Sequence, residues 1–467
     1  MEYLPDPVAP SKRLPLMSGA KLQLANAVKN KASPLAITRI FPSVNQELRQ
    51  ISQTHPLDFS NTIRDLESAC EGSGAAWELL HSMPSDALQS TVLNTIAYDT
   101  CRSDKTRLEG LPSDGGGVYI VGISVAARNG METGEFLSTS ELEVFVTHLQ
   151  RYRDAHRQLG EDGHLDEDEE EFAYKVDHIF AGCTSDDSDW EIINDDESDP
   201  EDYAVTDDDT PFKDPVRFRF IRCNRHAAAV SHMIASYEQR IAAAKQCSTS
   251  RDTRTLQSPI YVGCSSNIRR RLESYRPSRH NKSTFHGVNH LYGLTMSILA
   301  FMNLKPRHHG IAVIRTWQRD QMPIAERLVC ALAGANAVQG GFNIRECGQA
   351  VDKQTDESLQ RGERCVFVTH KRYMMRNIQL SQADIDKVEE YNAAMATLAR
   401  DMRTHEEEMD CEEIIEGIGD RVKRYQEKIE RVRGFKRGLV SVIHDYQAII
   451  DVATILVDVE KGRGIDD

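Results

Sequence analysis

Residues 261–275 read Tyr-Val-Gly-Cys-Ser-Ser-Asn-Ile-Arg-Arg-Arg-Leu-Glu-Ser-Tyr. An apolar strand runs into a turn and then a short, strongly basic helix, for which Ser265 or Ser266 is a candidate cap. Arg271 and Tyr275 are four residues apart, so on a helix they share one face. Downstream, Gly-Ile-Ala-Val-Ile-Arg-Thr-Trp at 310–317 reads as a further strand. Pro323 then opens an amphipathic helix carrying Glu326, Leu328, Val329 and Leu332, with Glu326 near its positive end. Asn343 follows. Upstream, Ser-Asp-Gly-Gly-Gly at 113–117 is a turn cluster, and Val-Tyr-Ile-Val-Gly-Ile at 118–123 is rich in strand formers. No Gly-Lys-Ser/Thr follows those glycines, so a phosphate-cradling loop is poorly supported. Phenols, a guanidinium and one carboxylate on a small scaffold suit phosphodiester cleavage. The guanidinium grips phosphate as a fork, and the carboxylate holds a hard metal ion through oxygen.

This pattern resembles the GIY-YIG endonuclease family. The second triplet reads Tyr261-Val262-Gly263, and Gly117-Val118-Tyr119 best matches the first. Arg271 and Tyr275 match the family's helix residues, Glu326 its metal-binding glutamate and Asn343 its downstream asparagine. The family's two triplets lie about a hairpin apart, whereas here 141 residues separate Tyr119 from Tyr261. The resemblance implies an α+β fold, a small three-stranded antiparallel sheet flanked by helices. It implies a divalent-metal-dependent endonuclease acting on DNA. In that enzyme Tyr119 would help activate water, and Tyr261 would position the water or the phosphate. Arg271 would neutralise charge on the phosphoryl group. Tyr275 would hydrogen-bond nearby, Asn343 would orient phosphate or support the site, and Glu326 would hold a single Mg²⁺ or Mn²⁺. Beside these, Arg269, Arg270, Arg276, Arg279, His280 and Lys282 form a basic surface suited to phosphate contacts. Ordinary surface charge is the simpler alternative for that surface.

The remaining chain divides by composition. Residues 1–110 read as an N-terminal helical region, irregular at its start, with a helix beginning near Pro84-Ser85-Asp86. The core would comprise 111–126 and 257–378, interrupted by an insertion at 127–256. Within the insertion, 138–159 reads as a helix with Ser140 as N-cap. Val-Arg-Phe-Arg-Phe-Ile-Arg-Cys at 216–223 reads as a strand, followed by a helix from about 224 to 244. An acidic tract at 161–209 holds 22 Asp or Glu and one Lys. Mutually repelling carboxylates there predict a solvated, disordered loop. The whole chain carries −16 and the tract −21, which leaves +5 elsewhere. The acidity therefore does not argue against a nucleic-acid partner for the core. The tract could instead screen the catalytic face or dock a basic protein.

Residues 379–467 read as charged helices. Val388, Tyr391, Met395, Leu398 and Met402 form one apolar seam, and Ile418, Val422, Tyr425, Ile429 and Val432 a second. These suit a helical hairpin or a coiled coil, and hence a possible homodimer. No apolar run reaches the roughly 20 residues of a membrane span. The ten cysteines include no Cys-x-x-Cys pair, which suits a reducing compartment, nucleus or cytoplasm. Two further readings stand beside the enzyme. The domain could be catalytically degenerate and bind nucleic acid or protein. Alternatively Tyr119 could be unrelated, with the 216–223 segment pairing against the strand of Tyr261.

Overall fold

The computed structural model describes residues 18–101, 111–112, 115–127, 132–180, 218–246, 252–275, 289–348, 355–408 and Lys423. The chain is mixed α+β and mostly helical, around one three-stranded antiparallel sheet. Its strands are β1 (Gly117–Val125), β2 (Ile260–Ser265) and β3 (Pro306–Arg315), in the order β2-β1-β3. The central strand pairs Tyr119 with Gly263 on one side and with Ala312 on the other, and a register shift falls between Val118 and Tyr119. The segment 216–223 does not take the place of β1. Its described residues, from Phe218 on, are irregular, and Phe218, Phe220 and Ile221 are buried as core anchors. Alternating arginines hid that role by imitating a half-buried strand.

Both faces of β1 are buried, and strand alternation assigns each face its own core. Val118 and Ile120 join Ile260, Val262, Val313 and Ile314 on one face. This face is covered by α1 (Gly19–Lys29), α2 (Pro34–Thr38), α3 (Phe41–Thr54), α4 (Ser60–Cys70), α5 (Gly74–Ser82), α6 (Ser85–Leu93) and α7 (Ile96–Cys101). The N-terminal region is thus part of the core's own cover. Tyr119, Val121, Ile123 and Val125 face the other way with Tyr261 and Ala312. There the cover comes from the insertion helices α8 (Thr139–Asp162), α9 (Glu167–His178) and α10 (Asn224–Gln246). Further along the chain lie α11 (Ile268–Ser274) and α12 (His290–Phe301), which complete this core.

The insertion leaves and rejoins the sheet at one place. The Val125 N–H donates to Glu135 O, the Phe136 N–H to Thr255 O and the Thr255 N–H to Leu137 O. Glu141 completes a capping box on Ser138, which is the N-cap of α8 in place of Ser140. The Arg254 guanidinium holds Glu141 at 2.7 Å and donates to Ala126 O at 2.8 Å. Burial alone would raise the Glu141 carboxyl, but the Arg254 and Ser138 hydrogen bonds bring it below its ordinary range.

The start of the acidic tract is folded. Asp166 caps α9, the four acids of its first turn face the positive helix end, and Phe172, Ala173 and Val176 are buried. Arg151 on α8 pairs with Glu169 at 2.9 Å. This corrects the disordered reading for residues 161–180, while 181–209 lie outside the described residues. Amphipathic spacing within the charge run lets α9 bury Phe172, Ala173 and Val176 while its first-turn acids stay outside the core; Asp177 alone of its carboxylates is buried.

On the opposite side of the sheet, α13 (Gln321–Ala333) is tied to α4 by Arg327 and Asp65 at 2.7 Å. Glu346 accepts the Thr62 N–H at 2.7 Å near the start of α4. Then α14 (Asp356–Arg364) leads to α15 (Lys371–Glu408). The described residues fall into two units, one ending at Ile378 and the other beginning at Gln379. In the second, Val388, Tyr391, Met395, Leu398 and Met402 are exposed along α15. The seam at 418–432 lies outside the described residues. No helix among the described residues is long and apolar enough to cross a membrane.

Asp177 supplies a pH test of the insertion. Its carboxylate accepts the Tyr152 O–H at 2.6 Å and the Arg219 N–H at 3.0 Å, yet burial pushes its pKa up to about 7. The folded state then holds this proton more tightly than the unfolded chain, whose Asp titrates near ~4. The stabilisation is full below about pH 4, fades as pH rises towards 7 and is gone above it. Thermal unfolding from pH 4.5 to 8 should show this loss, on the order of 4 kcal/mol at most. Asp177→Asn, which cannot titrate, should remove that component of the slope.

Candidate functional site: a phenol–guanidinium cluster at the edge of the sheet

Strand pairing places Tyr119 and Tyr261 on the same face of the sheet, diagonal to each other across β1 and β2. Their rings lie 6.2 Å apart between centroids. Gly263 sits directly opposite Tyr119, and a Cβ there would meet the Tyr119 Oη at 2.5 Å and the Tyr261 ring at 2.8 Å. The glycine of the second triplet is therefore the space into which the two rings fold. Gly117 has a different reason. Its φ of 151° lies in the region that favours glycine, and a Cβ would collide with Ile314 O.

Asn267, rather than Ser265 or Ser266, caps α11 by accepting the Arg270 N–H. The helix is about two turns long, and Tyr275 ends it. This aims Arg271 and Tyr275 at the two strand tyrosines. The Arg271 Nε donates to Tyr119 Oη at 3.2 Å, and Tyr119 Oη and Tyr275 Oη are 3.2 Å apart. The Tyr275 ring lies 6.0 Å from Tyr119 and 5.7 Å from Tyr261, with the Arg271 guanidinium 5.4 Å from its centroid. Four of the six residues expected from sequence thus converge.

The three rings are at most 1% exposed. The Tyr119 hydroxyl meets Tyr275 Oη and Arg271 within the core, while Arg271 itself is half-buried. Arg269 and Arg270 are exposed on α11 beside it. Arg276, Arg279, His280 and Lys282 lie outside the described residues. Two further residues seal the cluster. Tyr292 on α12 donates to Tyr275 O at 3.4 Å, and its oxygen lies 3.0 Å from His308 Nδ1. The His308 ring stacks on Tyr275 at 6.1 Å. Burial raises the Tyr292 phenol above its ordinary range. A polar-tipped aromatic inside an otherwise apolar helix was the only sequence signal for Tyr292.

Glu326 and Asn343 reach the site through β2. Cys264 points to the face opposite Tyr261, and its thiol donates to Glu326 Oε2 at 3.2 Å. The Gly348 N–H donates to the same oxygen at 2.9 Å. Glu326 is 5% exposed and so sits behind the edge strand. Asn343 closes that strand's free edge. It accepts the Val262 N–H at 3.0 Å and donates to Val262 O at 2.7 Å, imitating a neighbouring peptide. Its Nδ2 also donates to Cys347 Sγ, and the side chain is fully buried. Asn343 is therefore placed to support the site rather than to touch phosphate.

The donor set bears on the metal. Among the described residues no three His, Cys, Asp or Glu side chains come together as ligands. A cation here would have one protein carboxylate. That suits only a hard ion which keeps most of its shell as water and substrate oxygen, as Mg²⁺ does.

Gly263→Ala should force Tyr119 or Tyr261 out of place and cost roughly 1–3 kcal/mol, as overpacking does. Asn343→Ala should cost about as much by orphaning two buried backbone groups. Denaturant unfolding measures both, and the Gly263 variant should also change the tyrosine fluorescence of the folded state.

No family model matches the chain, and neither the curated proteins nor the solved structures give a match.

Proposed function

We propose that the chain is a divalent-metal-dependent endonuclease that hydrolyses DNA phosphodiester bonds through a GIY-YIG-like site. The observation that carries this reading is the convergence of Tyr119, Tyr261, Arg271 and Tyr275 across an intervening 141 residues. A cluster of three phenols and a guanidinium is more polar than a core requires. Arg271 would bind a non-bridging phosphoryl oxygen and oppose the charge that develops there. Its Nε–H gives the Tyr119 oxygen a cationic donor; once that phenol has released its proton to solvent, the phenolate would take one proton from an attacking water, whose hydroxide goes to the phosphorus, and Tyr275 Oη would hydrogen-bond the same oxygen. Tyr261 packs against both rings and fixes their orientation. Glu326 would hold a Mg²⁺ or Mn²⁺, which when bound supplies Lewis-acid polarisation of the phosphate. Arg269 and Arg270 would steady the duplex by its backbone without reading sequence.

One observation favours a second reading. The tyrosine rings are buried and the Tyr119 and Tyr275 hydroxyls are bonded to each other, as in a structural core. In that case the domain binds nucleic acid or protein through α11 and its basic neighbours, without cleaving. The exposed α15 seam would suit self-association in either reading.

Nicking of supercoiled plasmid with Mg²⁺ or Mn²⁺ tests the enzyme. The intact protein should cleave, and Arg271→Ala and Glu326→Gln should each lower the rate by about 100-fold or more. Cleavage that survives both substitutions would put the site elsewhere. Absent cleavage, with salt-sensitive DNA retention that Arg269→Ala and Arg270→Ala weaken, would select the binding module.

A further inference from the structure

A cavity of about 360 Å³ opens between the N-terminal helices and α10, and none of the tyrosine-cluster residues lines it. Its charged groups are not equally occupied. Lys21 on α1 donates to Leu332 O at 2.8 Å and to Ala333 O, capping the negative end of α13, and to Asn94 Oδ1 at the end of α6. Glu47 on α3 accepts from Ser18 Oγ and from Gln339 Nε2. Arg240 on α10 differs. Among the described residues no carboxylate pairs with it, and it packs against the Tyr237 ring and the backbone of Gly340. Gly340 makes that approach possible, because a Cβ there would lie 3.1 Å from Arg240 Nη2. Gln257 also lines the cavity; it is 3% exposed, and its Oε1 accepts no hydrogen bond among the described residues. A buried acceptor without a donor is costly, and a half-buried guanidinium without an anion is a ready recognition group. Leu24, Val44 and Val338 supply an apolar wall between them.

We infer that this cavity binds a small organic anion that also carries an N–H donor, its anionic group on Arg240 and its donor on Gln257. The volume lies at the lower end of ligand pockets, which suits a ligand of nucleotide size or smaller. Two chemical sources share this pairing. A nucleoside monophosphate offers a phosphate and an exocyclic amine, and an acidic amino acid offers carboxylates and an ammonium group.

Calorimetry and thermal shift on the full chain, with adenosine monophosphate, glutamate and inorganic phosphate as separate probes, test the inference. One of the two organic anions should bind with a Kd of about 1 mM or tighter and raise the unfolding temperature, with inorganic phosphate at least tenfold weaker. Arg240→Gln and Gln257→Met should each weaken that binding at least tenfold, and Arg271→Ala should leave it unchanged. The Gln257 variant keeps the test decisive if Arg240→Gln does not fold. Which organic anion binds identifies the source. Binding by none of the probes, equal binding of inorganic phosphate, or binding that survives the substitutions would overturn the inference and leave a water-filled cavity.

Discussion

The first unit depends on β1 pairing with two strands that reach it from far along the chain. Bringing β2 to β1 closes a loop of more than 130 residues, and loop entropy opposes that closure. The stem formed by Val125, Ala126, residues 135–138 and residues 254–255 reduces the effective gap. Its backbone hydrogen bonds and the Arg254–Glu141 fork fasten the insertion at the point where it departs. From the sheet's side the long insertion then behaves as a short connection. Loop-closure cost grows only logarithmically with length, so folded helices beyond the stem add little to it.

The same pairing builds the candidate site. Register decides which residue stands opposite Tyr119, and only a glycine there admits two aromatic rings. A slip of one residue would send Tyr261 to the other face and Cys264 inward. Register is held from both sides. Pairing with β1 fixes the inner edge of β2, and Asn343 with the Phe342 N–H fixes its outer edge. The arrangement divides the chemistry by face, with phenols and Arg271 in front of the edge strand and Glu326 behind it.

Burial gives this site its particular character. Helix α12 and the insertion turn what would be an open face into a sealed one, with Tyr292 and His308 as the seal. Arg271 and its neighbours on α11 remain the part nearest solvent. Any substrate phosphate would first meet the guanidinium and reach the phenols through it.

Much of this was legible in the sequence. The strands read at 118–123, 259–264 and 310–317, observed at 117–125, 260–265 and 306–315, the basic helix and the Glu326 helix follow from alternation, turn residues and helical periodicity, which are local properties. The reason for Gly263 was not legible, because the close approach it permits, to the Tyr119 ring, comes from across the sheet. Three matters needed the tertiary structure. Which strand pairs with the one carrying Tyr261 is a long-range question, and the stem near Arg254 answers it with hydrogen bonds between residues that no local pattern links. The folding of residues 167–178 within an acidic run depends on a core for Phe172 and Val176 to enter. Asn343's role as a false strand appears only once β2 is seen to have a free edge. Sequence determined which side chains could do phosphodiester chemistry, because that is fixed by their functional groups. Only the tertiary structure decided that four of them share one cluster and that Glu326 stands behind it, because position across strands is set by pairing and burial.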